Sequence, residues 1–248
     1  MEEKLVLDES NLLVVDAGNT CIKFTAFTGD QVLWVERGES APLDKAFAPQ
    51  QIYFASVRSK EQSALLHADI QAAYPNAQWL TITSVSHVCG VSNAYHEPER
   101  LGVDRWLAVV GAFYLGLGDV MVLDAGTAIK VDFINGKGVH LGGYITPGLT
   151  MMESALLANT ARIRYEADEV TVAQGLPDST ARAVTEGVHE MALAFVERMN
   201  RQHPSFKWVA TGGDSRALLD SLQIEMEYQP NLVALGAKRV GDELIKRQ

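Results

Sequence analysis

Cysteine is scarce in this chain: Cys21 and Cys89 are the only two in 248 residues, and they lie far apart. That rules out a disulfide-built scaffold and leads us to expect two reduced, partly buried thiols. No Cys/His group has zinc-ligand spacing, and none of the six histidines pairs with a nearby carboxylate or cysteine at catalytic spacing. His87 and His96 read as surface residues. Positive charge is also short, with 21 Lys and Arg against 31 Asp and Glu, a formal net charge of −10. A field of that sign repels a polyphosphate backbone, so nucleic acid is not an expected partner. Long apolar runs are missing and the N-terminus, Met1-Glu2-Glu3-Lys4, is acidic. Neither a signal peptide nor a membrane span is therefore expected, and the chain reads as cytoplasmic. A Gly-x-Ser-x-Gly elbow, a Walker loop and a dinucleotide-type glycine fingerprint are absent as well.

What is present is ordinary in bulk and unusual in one place. With 47% apolar and 21% charged residues, the chain is that of a globular protein with a substantial core. Within it one short motif occurs twice, as Asp16-Ala17-Gly18-Asn19-Thr20 and as Asp124-Ala125-Gly126-Thr127-Ala128. Each copy follows an apolar run, Leu12–Val15 or Val120–Leu123, and precedes a second strand-like stretch. Seen once, this is an Asp-Gly hairpin turn. Repeated at the same place after a buried strand, it points to a duplicated phosphate-gripping hairpin, hence an ATP-using enzyme with its site in a cleft between related halves.

The chemistry of the first copy is legible. Gly18 lets the backbone approach an anion and present its N–H groups, Asn19 and Thr20 add neutral donors, and Lys23 adds a positive charge. Asp16 would repel phosphate unless it held a hydrated Mg²⁺. The second copy lacks a lysine at the matching close position. Thr127 there fits a phosphate contact, and Asp124, read as having no lysine beside it, fits a cation ligand. Between the copies stands Leu101-Gly102-Val103-Asp104-Arg105-Trp106, at the start of a helix expected over Trp106–Leu117. Asp104 alone suits an N-cap; with Arg105 it makes a proton acceptor beside an anion binder, as transfer to an alcohol on an acidic substrate needs. A fourth segment, Thr211-Gly212-Gly213-Asp214-Ser215, offers flat backbone to a purine or is merely a glycine-rich connection. Gly142–Gly148 reads as a similar loop.

The remaining pattern predicts strands at Cys21–Phe27, Val32–Glu36, Gln51–Val57, Trp79–Thr83, Ile129–Ile134 and Trp208–Ala210. It predicts helices at Glu61–Ala73, near Thr150–Leu157 and Thr180–Asn200, and near Arg216–Ser221 and Leu232–Lys246. Asn135-Gly136 reads as a tight turn into a further strand, and Ser84–Glu99 as a loop carrying function or a substrate lid. The expected fold is α/β with internal duplication, in domains 1–118 and 119–248.

These motifs, in this order, resemble type III pantothenate kinase, a bacterial family of the acetate-kinase, sugar-kinase and actin superfamily. The resemblance rests on Asp16–Thr20 with Lys23; Tyr95 and Pro98 through Leu101–Trp106; Asp124–Ala128; Gly142–Ile145 with Pro147-Gly148; Thr180; Thr211–Asp214; and Pro230–Val233. It implies duplicated ribonuclease-H-like (actin-like ATPase) domains and ATP-dependent phosphorylation of pantothenate on the way to coenzyme A. By that similarity Asp104 is the general base, and Tyr95, Gly102, Val103, Asp104, Arg105 and Thr180 bind pantothenate. Asp16, Ala17, Gly18, Asn19, Thr20, Cys21, Ile22, Lys23, Thr127, Gly212 and Gly213 bind ATP. Asp16 holds Mg²⁺, through water, and Asp124 a monovalent cation, K⁺ or NH₄⁺. A homodimer is implied, with Thr180 reaching the neighbouring pocket. The family often has Asn or Asp before the proline that follows the tyrosine; this chain has Glu97. Two rival enzymatic or regulatory readings are a related kinase for another small carboxylated alcohol and a nucleotide-binding regulatory relative. The latter predicts a degraded Asp-Arg pair, and here both residues are intact. An actin-like filament protein is a third, for which the chain is short.

Overall fold

The computed structural model describes residues 10–40 and 47–247. The acidic N-terminal segment, in which no signal peptide was expected, lies outside the described residues. The chain forms two compact units. The first comprises the residues up to 116 with 137–141 and 231 onward; the second comprises 117–136 and 142–230.

In the first unit, β1 (Asn11–Ala17), β2 (Ile22–Thr28) and β3 (Gln31–Gly38) form an antiparallel meander. β4 (Gln51–Ser56) then pairs parallel to β1, and after helix α1 (Lys60–Ala73) β5 (Gln78–Thr81) pairs parallel to β4. The sheet order is β3-β2-β1-β4-β5. Period-2 patterning sends Leu13, Val15 and Ala17 into one core with Phe24, Ile52, Phe54, Leu66 and Ile70. α1 starts at a capping box, with Ser59 accepting from Gln62 N and the Gln62 side chain accepting from Ser59 N. The segment expected to be an open loop, Ser84–Glu99, holds a two-residue hairpin, β6 (His87–Val88) and β7 (Val91–Ser92), and then a 3₁₀ turn at Pro98–Arg100. Cys89 and Gly90 make the hairpin corner at φ 53° and 67°.

Helix α2 runs over Val103–Phe113, not Trp106–Leu117. Apolar periodicity begins visibly only at Trp106, because a charged Asp-Arg pair occupies its first turn; at the other end Gly116 and Gly118 take φ of 67° and 88°.

The second unit repeats the plan. β8 (Val120–Ala125) and β9 (Ala128–Ile134) are antiparallel, β10 (His140–Pro147) borders β9, and helices α3 (Leu149–Asn159) and α4 (Thr180–Gln202) follow. β11 (Lys207–Thr211), α5 (Ser215–Ser221) and β12 (Met226–Tyr228) complete it, both strands running parallel to β8. The sheet order is β10-β9-β8-β11-β12, the order of the first sheet element for element. Its core joins Leu123, Val131 and Phe133 to Val196 and Met199 of α4 and Leu218 of α5. Gly142–Pro147 belongs to β10 and is not a loop; the turn before it is broader than Asn135-Gly136, with Asp119 Oδ1 accepting from Gly136 N at 2.8 Å. β12 is too short to have a readable period.

Helix α6 (Leu232–Lys246), although last in sequence, packs in the first unit. Gly236 touches Leu107 O so closely that a Cβ would overlap it, and Gly111 likewise has Leu232 O 2.6 Å from an added Cβ. Tyr53 donates to Asp242 at 2.9 Å. The division of sequence expected at 118 therefore leaves α6 on the far side of the boundary from the helix it packs against.

Candidate active site

β1 delivers Asp16 and Ala17 to a turn, and β2 leaves it at Ile22. Asp16 faces Lys23 across the ladder and Ala17 faces Ile22, so Gly18, Asn19, Thr20 and Cys21 span the gap. The last three are exposed and Gly18 is half-buried. The turn is braced from β4: Val57 N donates to Ala17 O at 3.1 Å, and Arg58 Nε donates to Gly18 O at 2.7 Å. Cys21 is exposed and Cys89 buried, so neither of these two free thiols is quite the partly buried kind expected. Burial, reinforced by Glu243, pushes the Cys89 thiol up to about 12.

Gly102 caps α2 and lies 3.9 Å (as an added Cβ) from Val57 Cγ1. Gly102 and Ala17 thus share Val57 as a neighbour, which puts the Asp-Arg segment beside the first turn. A cleft of about 310 Å³ runs there, lined by Ser56, Val57, Ile82–Ser84 and Glu99–Val103. It opens at the carboxyl ends of parallel strands, where α/β sheets bind ligands. Asp104 is not the cap. It sits in the first turn with Oδ1 accepting from Arg105 N at 2.8 Å, where the helix dipole favours a carboxylate. Val103 is buried behind it, and Ser84 Oγ donates to Leu101 O at 2.8 Å.

Arg105 is only 4% exposed, and its Nη1 donates to Tyr95 Oη at 3.1 Å. The structure thus brings together two residues ten apart in sequence. Glu97, the departure from the family pattern, pairs with exposed Arg100 at 3.0 Å. His87 and His96 are exposed, as expected. His140, which no sequence signal marked, is 1% exposed and lies against Tyr95.

In the second unit Ala125 faces Ile129, so only Gly126, Thr127 and Ala128 span the turn. That shortening overturns one sequence reading. Lys130 lies opposite Asp124, as Lys23 lies opposite Asp16, and its Nζ is 2.7 Å from Asp124 Oδ2. The lysine was missed because a turn one residue shorter moves it one place along the chain. Gly212, at φ 86°, would put a Cβ 2.6 Å from Asp124 Oδ1 and onto Ala125 O; no other residue fits there. Asp214 N donates to Ala125 O at 3.1 Å, and Ala125 N donates to buried Ser215 Oγ at 2.8 Å. Gly148 N donates to Thr127 O at 3.0 Å. Gly213 faces open space. Thr180 opens α4, exposed, after its cap Ser179.

The sheet order, the paired Asp-Gly turns and the strand-end cleft describe an actin-like ATPase and sugar-kinase fold. Two solved structures share it: a Baf family transcriptional activator from Campylobacter jejuni (TM-score 0.60, 22% identity, 94% of this chain and 99% of that one); and a 2-dehydro-3-deoxygalactonokinase protein from Sinorhizobium meliloti (TM-score 0.51, 13% identity, 94% and 99%). At those identities they speak for the fold alone. The model of the type III pantothenate kinase family matches residues 12–202. A type III pantothenate kinase from Marinomonas sp. (strain MWYL1) is 66% identical over 96% of this chain and 98% of its own length. One from Pseudomonas putida (strain F1) is 35% identical over 91% and 96%. The chain belongs to the type III pantothenate kinase family. No helix among the described residues is long and apolar enough to cross a membrane.

Proposed function

We propose that this protein phosphorylates pantothenate with ATP, giving 4′-phosphopantothenate, the first step of coenzyme A synthesis. The observation that carries the reading is the Asp104–Arg105–Tyr95 group on the rigid start of α2, beside the first Asp-Gly turn. Arg105, fixed by burial, presents a guanidinium to the substrate carboxylate, with Tyr95, Gly102 and Val103 shaping its pocket. Asp104 takes the proton of the primary hydroxyl as it attacks the γ-phosphorus in line. Asp16 to Lys23, with Thr127, Gly212 and Gly213, hold ATP through backbone N–H groups and Lys23. Carboxylate oxygens at Asp16 and Asp124 are hard donors suited to Mg²⁺ and to K⁺ or NH₄⁺ respectively. Mg²⁺ would neutralise phosphate charge, and a monovalent cation held by Asp124 would share that carboxylate with Lys130.

A homodimer fits the second unit's surface. α3, Leu-Thr-Met-Met-Glu-Ser-Ala-Leu-Leu-Ala-Asn, has no fully buried residue, only Leu149 and Met152 packing on the core, and Tyr144, Ile145, Val172, Leu176 and Met191 of the same unit are exposed. So much bare apolar surface suits a partner, here a second copy, with Thr180, exposed at the start of α4, as the residue reaching its pocket. A cytoplasmic location is part of the same reading.

The direct test is ADP release with and without pantothenate in potassium buffer, on the wild type and on Asp104→Asn. The variant should fold and bind ATP but lose ~10²–10⁴-fold in turnover. Wild-type turnover at neutral pH would remove Asp104 as the base, and pantothenate-independent release would remove the substrate.

A further inference from the structure

We propose that His140 is a positioning residue for the pantothenate pocket, acting through Tyr95. The inference rests on the reading above that Tyr95 contacts substrate. His140 is the first residue of β10, 45 positions from Tyr95, yet both belong to the first unit. The turn before it is drawn in by Gly138, at φ 79°, whose backbone lies so close to Gly90 O that any Cβ would collide. Ser92 N donates to Gly138 O at 2.8 Å, and Ser92 bridges Val139 in parallel register. The strand that follows the turn therefore lies alongside the segment leading to Tyr95.

At that place two contacts of different kinds join His140 to the Ala94–Tyr95 segment. Its Nδ1 accepts from Ala94 N at 3.4 Å, the peptide just before Tyr95. Its ring is nearly parallel to the Tyr95 ring, 14° between planes and 6.5 Å between centroids. Tyr95 is then tied at its other end to Arg105, through the 3.1 Å hydrogen bond to its hydroxyl. Asn93 Oδ1 accepts from Tyr95 N at 2.9 Å, so the backbone has a second anchor, while the ring is flanked by His140 and its hydroxyl accepts from Arg105. An imidazole 1% exposed gains nothing from solvent. Removing it opens space behind Tyr95 and lets the ring and the guanidinium that donates to it drift, which costs substrate orientation.

The braces of the first turn come from Val57 and Arg58, whereas His140 is tied to the Ala94–Tyr95 segment, so ATP binding should be spared. The experiment measures KM for pantothenate, KM for ATP, kcat and Tm for His140→Ala, His140→Phe and Tyr95→Ala. His140→Ala should raise KM for pantothenate about threefold to tenfold, with KM for ATP within about twofold of wild type. His140→Phe keeps a flat ring behind Tyr95 and should recover most of that loss; it also serves if the alanine variant folds poorly. Unchanged KM for pantothenate in both His140 variants, with Tyr95→Ala impaired, overturns the proposal and leaves the role of Tyr95 standing. So does a loss shared equally between both substrates. Unchanged KM for pantothenate in Tyr95→Ala overturns the reading beneath it.

Discussion

The turn after β1 and the turn after β8 begin alike, each with Asp, Ala and Gly, and each sets a lysine across the ladder from its aspartate. They differ in length and in what holds them. The first spans four residues and is braced by a charged group, Arg58, on the Gly18 carbonyl. The second spans three and is braced by neutral groups, the buried Ser215 hydroxyl and the Gly148 and Asp214 amides. In both, the alanine carbonyl accepts from a backbone N–H beyond the neighbouring parallel strand, Val57 directly after β4 in one unit and Asp214 three residues after β11 in the other. One backbone plan thus carries two electrostatic designs. The first sets the Arg58 guanidinium on the Gly18 carbonyl, beside the exposed Asn19, Thr20 and Cys21. The second closes its aspartate and lysine on each other at 2.7 Å.

The lysines give the sharpest way to break that contrast. Lys23→Ala should lower kcat/KM for ATP ~10²–10³-fold, the usual cost of losing a donor aimed at transferring charge. Lys130→Ala should cost far less in ATP kinetics. Equal losses would make the turns functional equivalents and end the asymmetry. Salt sharpens the second turn: activity should require potassium or ammonium and be poor in sodium, and Asp124→Asn should erase the preference. Equal rates in the three salts would leave Asp124–Lys130 as a structural pair.

Glycines test the scaffolding by stability instead of rate. Gly212→Ala and Gly148→Ala force a Cβ into backbone at the second turn and should destabilise by about 2 kcal/mol or more, read from denaturant midpoints. Gly213→Ala and Gly126→Ala meet open space and should cost about 1 kcal/mol or less. The reverse ranking would mean the turn packing is wrong. The smallest effect concerns the thiols. Exposed Cys21, on the first turn, should react with a maleimide at neutral pH and be slowed several-fold by Mg-ATP, while buried Cys89, with its thiol pushed up to about 12, stays inert. Labelling of Cys21 that ignores Mg-ATP would argue against ATP on that turn.

Much of this was readable beforehand, for specific reasons. Strands such as Leu12–Val15 and Val120–Leu123 announce themselves because a buried sheet leaves no room for polar interruption. The Asp-Gly turns and Asp104-Arg105 stand out because their charges interrupt apolar runs. Three things were hidden. The Asp124–Lys130 pair depends on turn length, which fixes ladder register and is not written in residue spacing. The extent of β10, the further strand expected after Asn135-Gly136, was hidden because Gly142 and Gly143 carry no strand signal of their own. His140 and Tyr95 meet through a turn that folds over Gly90, a contact between segments 45 residues apart.

The sequence by itself determined the duplicated strand–turn–strand plan and the buried helix at the Asp104-Arg105 segment. Those follow from local pattern, because apolar periodicity and glycine turns act over a few residues. Only the tertiary structure decided which lysine faces which aspartate, which groups brace each turn, that Arg105 is buried against Tyr95, and that α6 packs with the first unit. Those depend on register and on close backbone approach between distant segments, which are settled only when the whole chain has packed.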